Sequence, residues 1–170
     1  MRKMNVRRLA MYGLLVALAF VFSYIEMLIP FNIGIPGVKL GLGNLVVMVT
    51  MCLLRRRDAL VVAVTRIVLV GLTFGSPSSM LYALAGGLLS FAVMALLLPA
   101  KRISLYVVSM AGGLAHNFGQ LAVAVFATQT VRIVWYLPIL LVSGIVTGGL
   151  IGLAAVLIVR RLPARVTQGI

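Results

Sequence analysis

The stretch Val46-Val47-Met48-Val49-Thr50-Met51-Cys52-Leu53-Leu54-Arg55-Arg56-Arg57-Asp58-Ala59-Leu60-Val61-Val62-Ala63-Val64 sets an apolar run against four charged residues and then resumes it. Arg55-Arg56-Arg57-Asp58 cannot lie in hydrocarbon, so the runs on either side read as two membrane helices that turn back at a charged surface. The same alternation extends through the chain. Of its 170 residues 63% are hydrophobic and 10% charged, too few polar side chains to cover a soluble globule. The net charge of +13 does not point to nucleic acid, because the basic residues fall in short clusters between apolar runs and not on one solvated face with polar or aromatic contacts between them.

Six apolar segments result. The first runs from Leu9 to Ile29 and is closed by Pro30; a short second runs from Lys39 to Leu54; the third, from Ala59 to Phe74, carries Arg66 near its middle. Gly75-Ser76-Pro77-Ser78-Ser79 is a turn by composition, the fourth segment spans Met80 to Leu98, the fifth Ser104 to Thr128 and the sixth Trp135 to Val159. Basic residues cluster before the first segment (Arg2, Lys3, Arg7, Arg8), between the second and third, between the fourth and fifth (Lys101, Arg102) and after the sixth (Arg160, Arg161, Arg165). Lys39 and Arg132 fall on the other side, so the positive-inside rule puts both termini in the cytoplasm. The expected fold is an all-α integral membrane protein of six transmembrane helices, one domain over residues 1–170, in the plasma membrane. The basic start resembles a signal peptide but leads into a long run with no convincing small-residue cleavage site, and reads as a retained first helix. The single cysteine, Cys52, excludes an internal disulfide and reads as a small apolar filler.

Counting acids removes most enzyme chemistry. Glu26 and Asp58 are the whole supply, and Asp58 reads as neutralising the adjacent arginines. Paired carboxylates, an Asp-rich magnesium site and a Ser-His-Asp triad all need more, and His116 has no second histidine or cysteine at ligand spacing. The chain therefore reads as a non-enzyme with no metal and no cofactor of its own.

Polar groups inside the membrane are the better guide. An ionised side chain at mid-membrane costs about 2.5–3.5 kcal/mol on insertion scales and must face protein or water. Arg66 lies about 12 Å of helical rise from either end of its segment, too far to reach the surface easily. Two roles stay open for it: holding an anionic group of a ligand, or pairing with Glu26. His116, Asn117 and Gln120 form one polar sector of the fifth helix, which suits a pocket or interhelical hydrogen bonds. Ile35-Pro36-Gly37-Val38-Lys39-Leu40-Gly41-Leu42-Gly43-Asn44-Leu45 places a Pro-Gly turn before a helix mouth. The first N–H groups of that helix favour an anion, and Lys39 is either a rim residue or an interfacial anchor. Outward Tyr82 and Trp135 add further polar and aromatic surface. Gly144, Gly148 and Gly152 allow close packing of the sixth helix, while Gly13 and Ala17 on the first serve either internal packing or a partner protein.

Ile35 to Leu45, Leu81-Tyr-Ala-Leu-Ala-Gly-Gly-Leu-Leu-Ser90, Gly113-Leu-Ala-His-Asn-Phe-Gly-Gln-Leu121 and Tyr136-Leu-Pro-Ile-Leu-Leu-Val-Ser-Gly-Ile-Val-Thr-Gly148 resemble the Gx transporter family, also labelled heptaprenyl diphosphate synthase component I. That family is similar to the substrate-binding S components of energy-coupling factor (ECF) transporters. The resemblance implies a six-helix bundle that binds a small vitamin-like molecule in its outer half, with Pro30 to Val38 as a lid. It implies docking on a transmembrane T subunit driven by two ATPase subunits, through small residues spaced by four on the first helix. Gly13 and Ala17 occupy that pattern, with Gly in place of the more usual Ala. The expected substrate-binding residues are Lys39, Asn44, Arg66, His116, Asn117 and Gln120. The alternative is a non-transporting accessory protein of polyprenyl or menaquinone synthesis, or of flavin-based extracytoplasmic electron transfer.

Overall fold

The computed structural model describes residues 6–29, 40–100 and 102–162. Six α-helices and one 3-10 segment follow in order: α1 (Val6–Leu28), α2 (Leu42–Leu53), α3 (Arg56–Thr73), α4 (Pro77–Leu97), α5 (Leu105–Thr128), a 3-10 turn (Val131–Tyr136) and α6 (Leu137–Arg161). Three of them, over Leu9–Leu28, Pro77–Leu97 and Val131–Arg161, are long and apolar enough to cross a membrane. Arrangement agrees with composition: large apolar side chains such as Leu14, Leu72, Leu81, Leu96, Val142 and Leu157 face outward, while Ser23, Thr50, Ser90, Ser109 and Asn117 are buried. That is the layout of an all-α membrane protein, whose outer surface meets lipid and whose polar groups must find partners inside.

α2 is the centre of the packing. It is hydrophobic all round, as a helix surrounded by others is, and eight of its 12 residues are buried. α1, α3 and α6 pack around it, α4 packs on α3, and α5 joins α4 to α6. Met48 and Val49 of α2 form one core cluster with Met94, Val108 and Ala155, and Val46 forms another with Leu15, Ala19 and Val62. At twelve residues α2 is about 18 Å long, shorter than the hydrocarbon thickness.

Local chemistry sets the boundaries. Ser76 caps α4: its Oγ accepts from Ser79 N–H and the Ser79 hydroxyl accepts from Ser76 N–H, with Pro77 at the first helical position. Hence α4 starts inside the stretch that composition marks as a turn. α5 is capped by Ser104, and it ends at Gln129 in the left-handed region (φ 51°). The charge run is likewise part of a helix: Arg56, Arg57 and Asp58 form the first turn of α3. Asp58 stands beside Arg55, Arg56 and Arg57 as expected, with its Oδ2 buried and without a hydrogen-bond partner among the described residues. Its place in the first turn is also at the positive end of the α3 dipole, where a carboxylate is favoured.

Candidate functional site

α2 does not start at Lys39 as its composition suggests. Gly41 takes a left-handed conformation (φ 78°) that an L side chain rarely adopts, and a Cβ there would lie 2.8 Å from Ile151 Cδ1. The helix therefore begins at Leu42, and its mouth is already filled. The Glu26 carboxylate, near the end of α1, accepts hydrogen bonds from Gly41 N–H and Leu42 N–H, the latter at 3.1 Å. The anion favoured by this helix terminus is the protein's own. Lys39 and the segment Pro30 to Val38 lie outside the described residues.

Glu26→Ala should accordingly lower stability by about 1–2 kcal/mol in a detergent melt, the value of a charged cap in partly buried surroundings, and Glu26→Gln by clearly less. Equal stability of the alanine variant and the wild type would show that α2 does not depend on this cap.

Arg66 is placed by the same corner. Its Nη1 donates to Ser23 Oγ at 3.0 Å and its Nη2 to Asn44 Oδ1 at 2.9 Å, while its buried Nε has no hydrogen-bond partner among the described residues. Glu26 is close enough to act on the guanidinium through its field, but the two make no contact ion pair. Of the two roles left open by the sequence, direct pairing with Glu26 is therefore not the one adopted. Geometry explains it: the carboxylate is committed to the α2 backbone and the guanidinium to side chains of α1 and α2. Gly43 makes the arrangement possible, since a Cβ at that position would stand 2.2 Å from Arg66 Nη1 and 2.4 Å from Ser23 Oγ.

Arg66 stands in the wall of a cavity of about 660 Å³ to which all six helices contribute. That volume lies within the range of small-molecule sites. Asn44, Arg66, His116, Asn117 and Gln120, all foreseen from sequence, line it. So does Glu26, while Tyr82 is not in the lining and Trp135 is 84% exposed on the 3-10 turn. Asn117 is partly committed to packing: its Nδ2 donates to Leu140 O and to Ser143 Oγ (3.2 Å) on α6. Since Leu140 O can only accept, the amide nitrogen must face α6, and the side-chain carbonyl is not used there. His116 stands against Gly86 of α4, where a Cβ would lie 2.8 Å from its carbonyl oxygen.

The end of α1, the start of α2, the end of α3 and the start of α4 meet at one end of the cavity, at Ile29, Gly41, Gly75 and Ser79. Arg55–Arg57 and Arg160–Arg161 belong to the opposite helix ends. Among the lining residues the formal charges are one carboxylate and one guanidinium. Among the described residues no three His, Cys, Asp or Glu side chains gather as metal ligands would.

A second hollow lies on the outside between α1 and α3, lined by Tyr12, Gly13, Ala17, Asp58, Val61 and Leu69 among others. Gly13 and Ala17 are exposed in it, and no atom stands within 4 Å of a Cβ built on Gly13. Among the described residues Gly13 has no close neighbour and Ala17 is exposed, so of the two uses left open by sequence the internal one is not made there.

Fold and cavity together define a helical membrane protein with an internal, ligand-sized chamber. The chain belongs to the heptaprenyl diphosphate synthase component I family, which it matches over residues 15–158. No curated protein and no solved structure matches it.

Proposed function

We propose that the chain is the substrate-binding S component of an ECF-type ATP-driven importer for a small vitamin-like or singly anionic molecule. The observation that carries this reading is the cavity with Arg66 in its wall, at the end of the bundle away from the arginine clusters. By the positive-inside rule that end faces outward, with six passes forming one domain in the plasma membrane and both termini in the cytoplasm. Arg66 receives the negative group of the ligand, Lys39 adds charge at the rim, and Asn44, His116, Asn117 and Gln120 orient polar groups. A diphosphate fits poorly: one guanidinium offset by one carboxylate does not balance its charge, and two acids in the whole chain cannot build a magnesium site. The chain binds and does not catalyse.

The partners in this reading are a membrane T subunit and two ATPases, with Gly13 and Ala17 in the α1–α3 hollow as the docking surface. Gly13→Leu should abolish co-purification with these subunits and leave ligand binding unchanged, because Gly13 is exposed and a Cβ there has no described neighbour within 4 Å. A complex that survives the change removes the docking surface. The second reading is a non-transporting accessory protein of polyprenyl or menaquinone synthesis, or of flavin-based extracytoplasmic electron transfer; the family description, heptaprenyl diphosphate synthase component I, supports the polyprenyl form of it. The same pull-down separates the two: a prenyltransferase or an oxidoreductase in place of ATPases supports the accessory role.

A further inference from the structure

Hydroxyl groups inside this bundle divide into two sets. Ser23, Thr50, Ser143 and Thr147 donate to carbonyls of their own helices, Ser23 to Ala19 O at 2.8 Å and Thr50 to Val46 O at 2.6 Å. That is the usual recourse of a helical Ser or Thr away from water. Ser90 of α4 and Ser109 of α5 do otherwise. They are 5% and 3% exposed, both line the cavity, and neither hydroxyl makes a hydrogen bond to any described residue.

Their position is the inner floor. Gly87 of α4 is level with Ile67, next to Arg66, because a Cβ there would lie 2.8 Å from Ile67 Cδ1. Ser90 is one turn further along α4, about 4.5 Å deeper. Its Oγ would be 3.2 Å from a Cβ on Gly112, so it reaches the α4–α5 seam one turn of α5 away from Ser109. Met94 reaches the same place, its Cγ 2.7 Å from a Cβ on Gly112, and Met48 also lines the cavity. Across the cavity, two polar layers therefore face each other along the helix axis: Arg66 with His116 above, and Ser90 with Ser109 below.

We infer that Ser90 and Ser109 form an inner hydrogen-bonding subsite, and that the ligand is a two-ended polar molecule. One end bears an anionic or carbonyl group for Arg66, and the other a hydroxyl, an amide or the polar edge of a heteroaromatic ring for the serines. This inference rests on the pocket reading above and sharpens it. An isoprenoid tail is the wrong shape of chemistry for the floor, since hydrocarbon against two buried hydroxyls leaves both unsatisfied. Met48 and Met94 in the lining suit a flat or irregular apolar part of the ligand.

The test uses the full chain in detergent with three probes: riboflavin, a heteroaromatic ring with a hydroxylated tail; pantothenate, a singly charged hydroxy-amide; and farnesol, an isoprenoid. Wild type, Arg66→Ala and the double variant Ser90→Ala with Ser109→Ala are compared by ligand-induced thermal shift and by titration. The double variant should melt as wild type does without ligand, because its hydroxyls contribute no bond within the chain, whereas Thr50→Val, which loses a bond, should melt lower. A polar probe should bind wild type and bind the double variant at least about tenfold more weakly. Binding that weakens in Arg66→Ala but is unchanged in the double variant overturns the inner subsite and leaves the pocket standing. Farnesol bound more tightly than either polar probe overturns the ligand class. Failure of both polar probes to bind wild type overturns this inference and counts against the pocket reading as well.

Discussion

Arg66→Ala should weaken ligand binding by about a hundredfold or more while the bundle still folds. The binding loss follows from removing the charged partner of a ligand group in a desolvated wall, a change of about 3 kcal/mol or more. Folding should survive because a guanidinium inside a membrane protein is itself costly, and the Glu26 carboxylate left without its counter-charge is still held by the α2 backbone. Glu26 keeps its two backbone donors at the start of α2, and the Ser23 hydroxyl keeps its bond to Ala19 O. A melting temperature at or above wild type, with uptake and binding lost, is the expected pair of results. A companion change reaches the same end without touching the charge. In Gly43→Ala the new methyl would lie 2.2 Å from Nη1 and 2.4 Å from Ser23 Oγ, so the bond between them cannot persist as it stands. Arg66→Ala with uptake intact would remove the pocket assignment, whatever the companion variant does.

Gly113→Leu should yield no monodisperse folded protein. A Cβ at this position would be 2.3 Å from the carbonyl oxygen of Gly144, and a backbone oxygen in a helix cannot step aside as a side chain can. α5 and α6 would have to separate along their whole seam, where Gly148 approaches Ser109 O and Gly152 approaches the Tyr106 backbone at similarly short range. Overpacking of a core commonly costs 1–3 kcal/mol, and a backbone-to-backbone clash belongs at the upper end of that range or beyond it. The same substitution at Gly13 supplies the control, since nothing stands within 4 Å there. Size-exclusion profiles of the two variants should differ sharply, with Gly13→Leu eluting as wild type does. Equal recovery of both would mean that the α5–α6 contact is not what holds the bundle.

These two results bear on how much a linear reading could see. The Gly144, Gly148 and Gly152 spacing in α6 announces close packing because residues four apart share a helix face. Gly113 and Gly43 announce nothing, because each is needed for an atom that is distant in sequence. Asn44, Arg66, His116, Asn117 and Gln120 could be picked out as polar groups misplaced in hydrocarbon, and all five line the cavity. Glu26 could be seen as unusual but not as the cap of α2, a contact across fifteen residues that depends on where Gly41 turns. Ser90 and Ser109 were invisible for another reason. A serine in a membrane helix ordinarily bonds its own backbone, and only the packed bundle shows that these two do not.

Composition, spacing and charge thus determined the helical membrane class, the order of six helices and the identity of the polar residues, since hydrocarbon penalises every misplaced charge whatever the packing. Tertiary structure alone decided which polar groups meet. It assigned the α2 mouth to Glu26, turned Arg66 toward Ser23 and Asn44, divided Asn117 between α6 and the cavity, and left the α1 face with Gly13 and Ala17 uncovered. The physical reason is register: a helix fixes which residues share a face, but only contact with its neighbours fixes their depth and rotation, and hydrogen bonds form or fail over fractions of a turn.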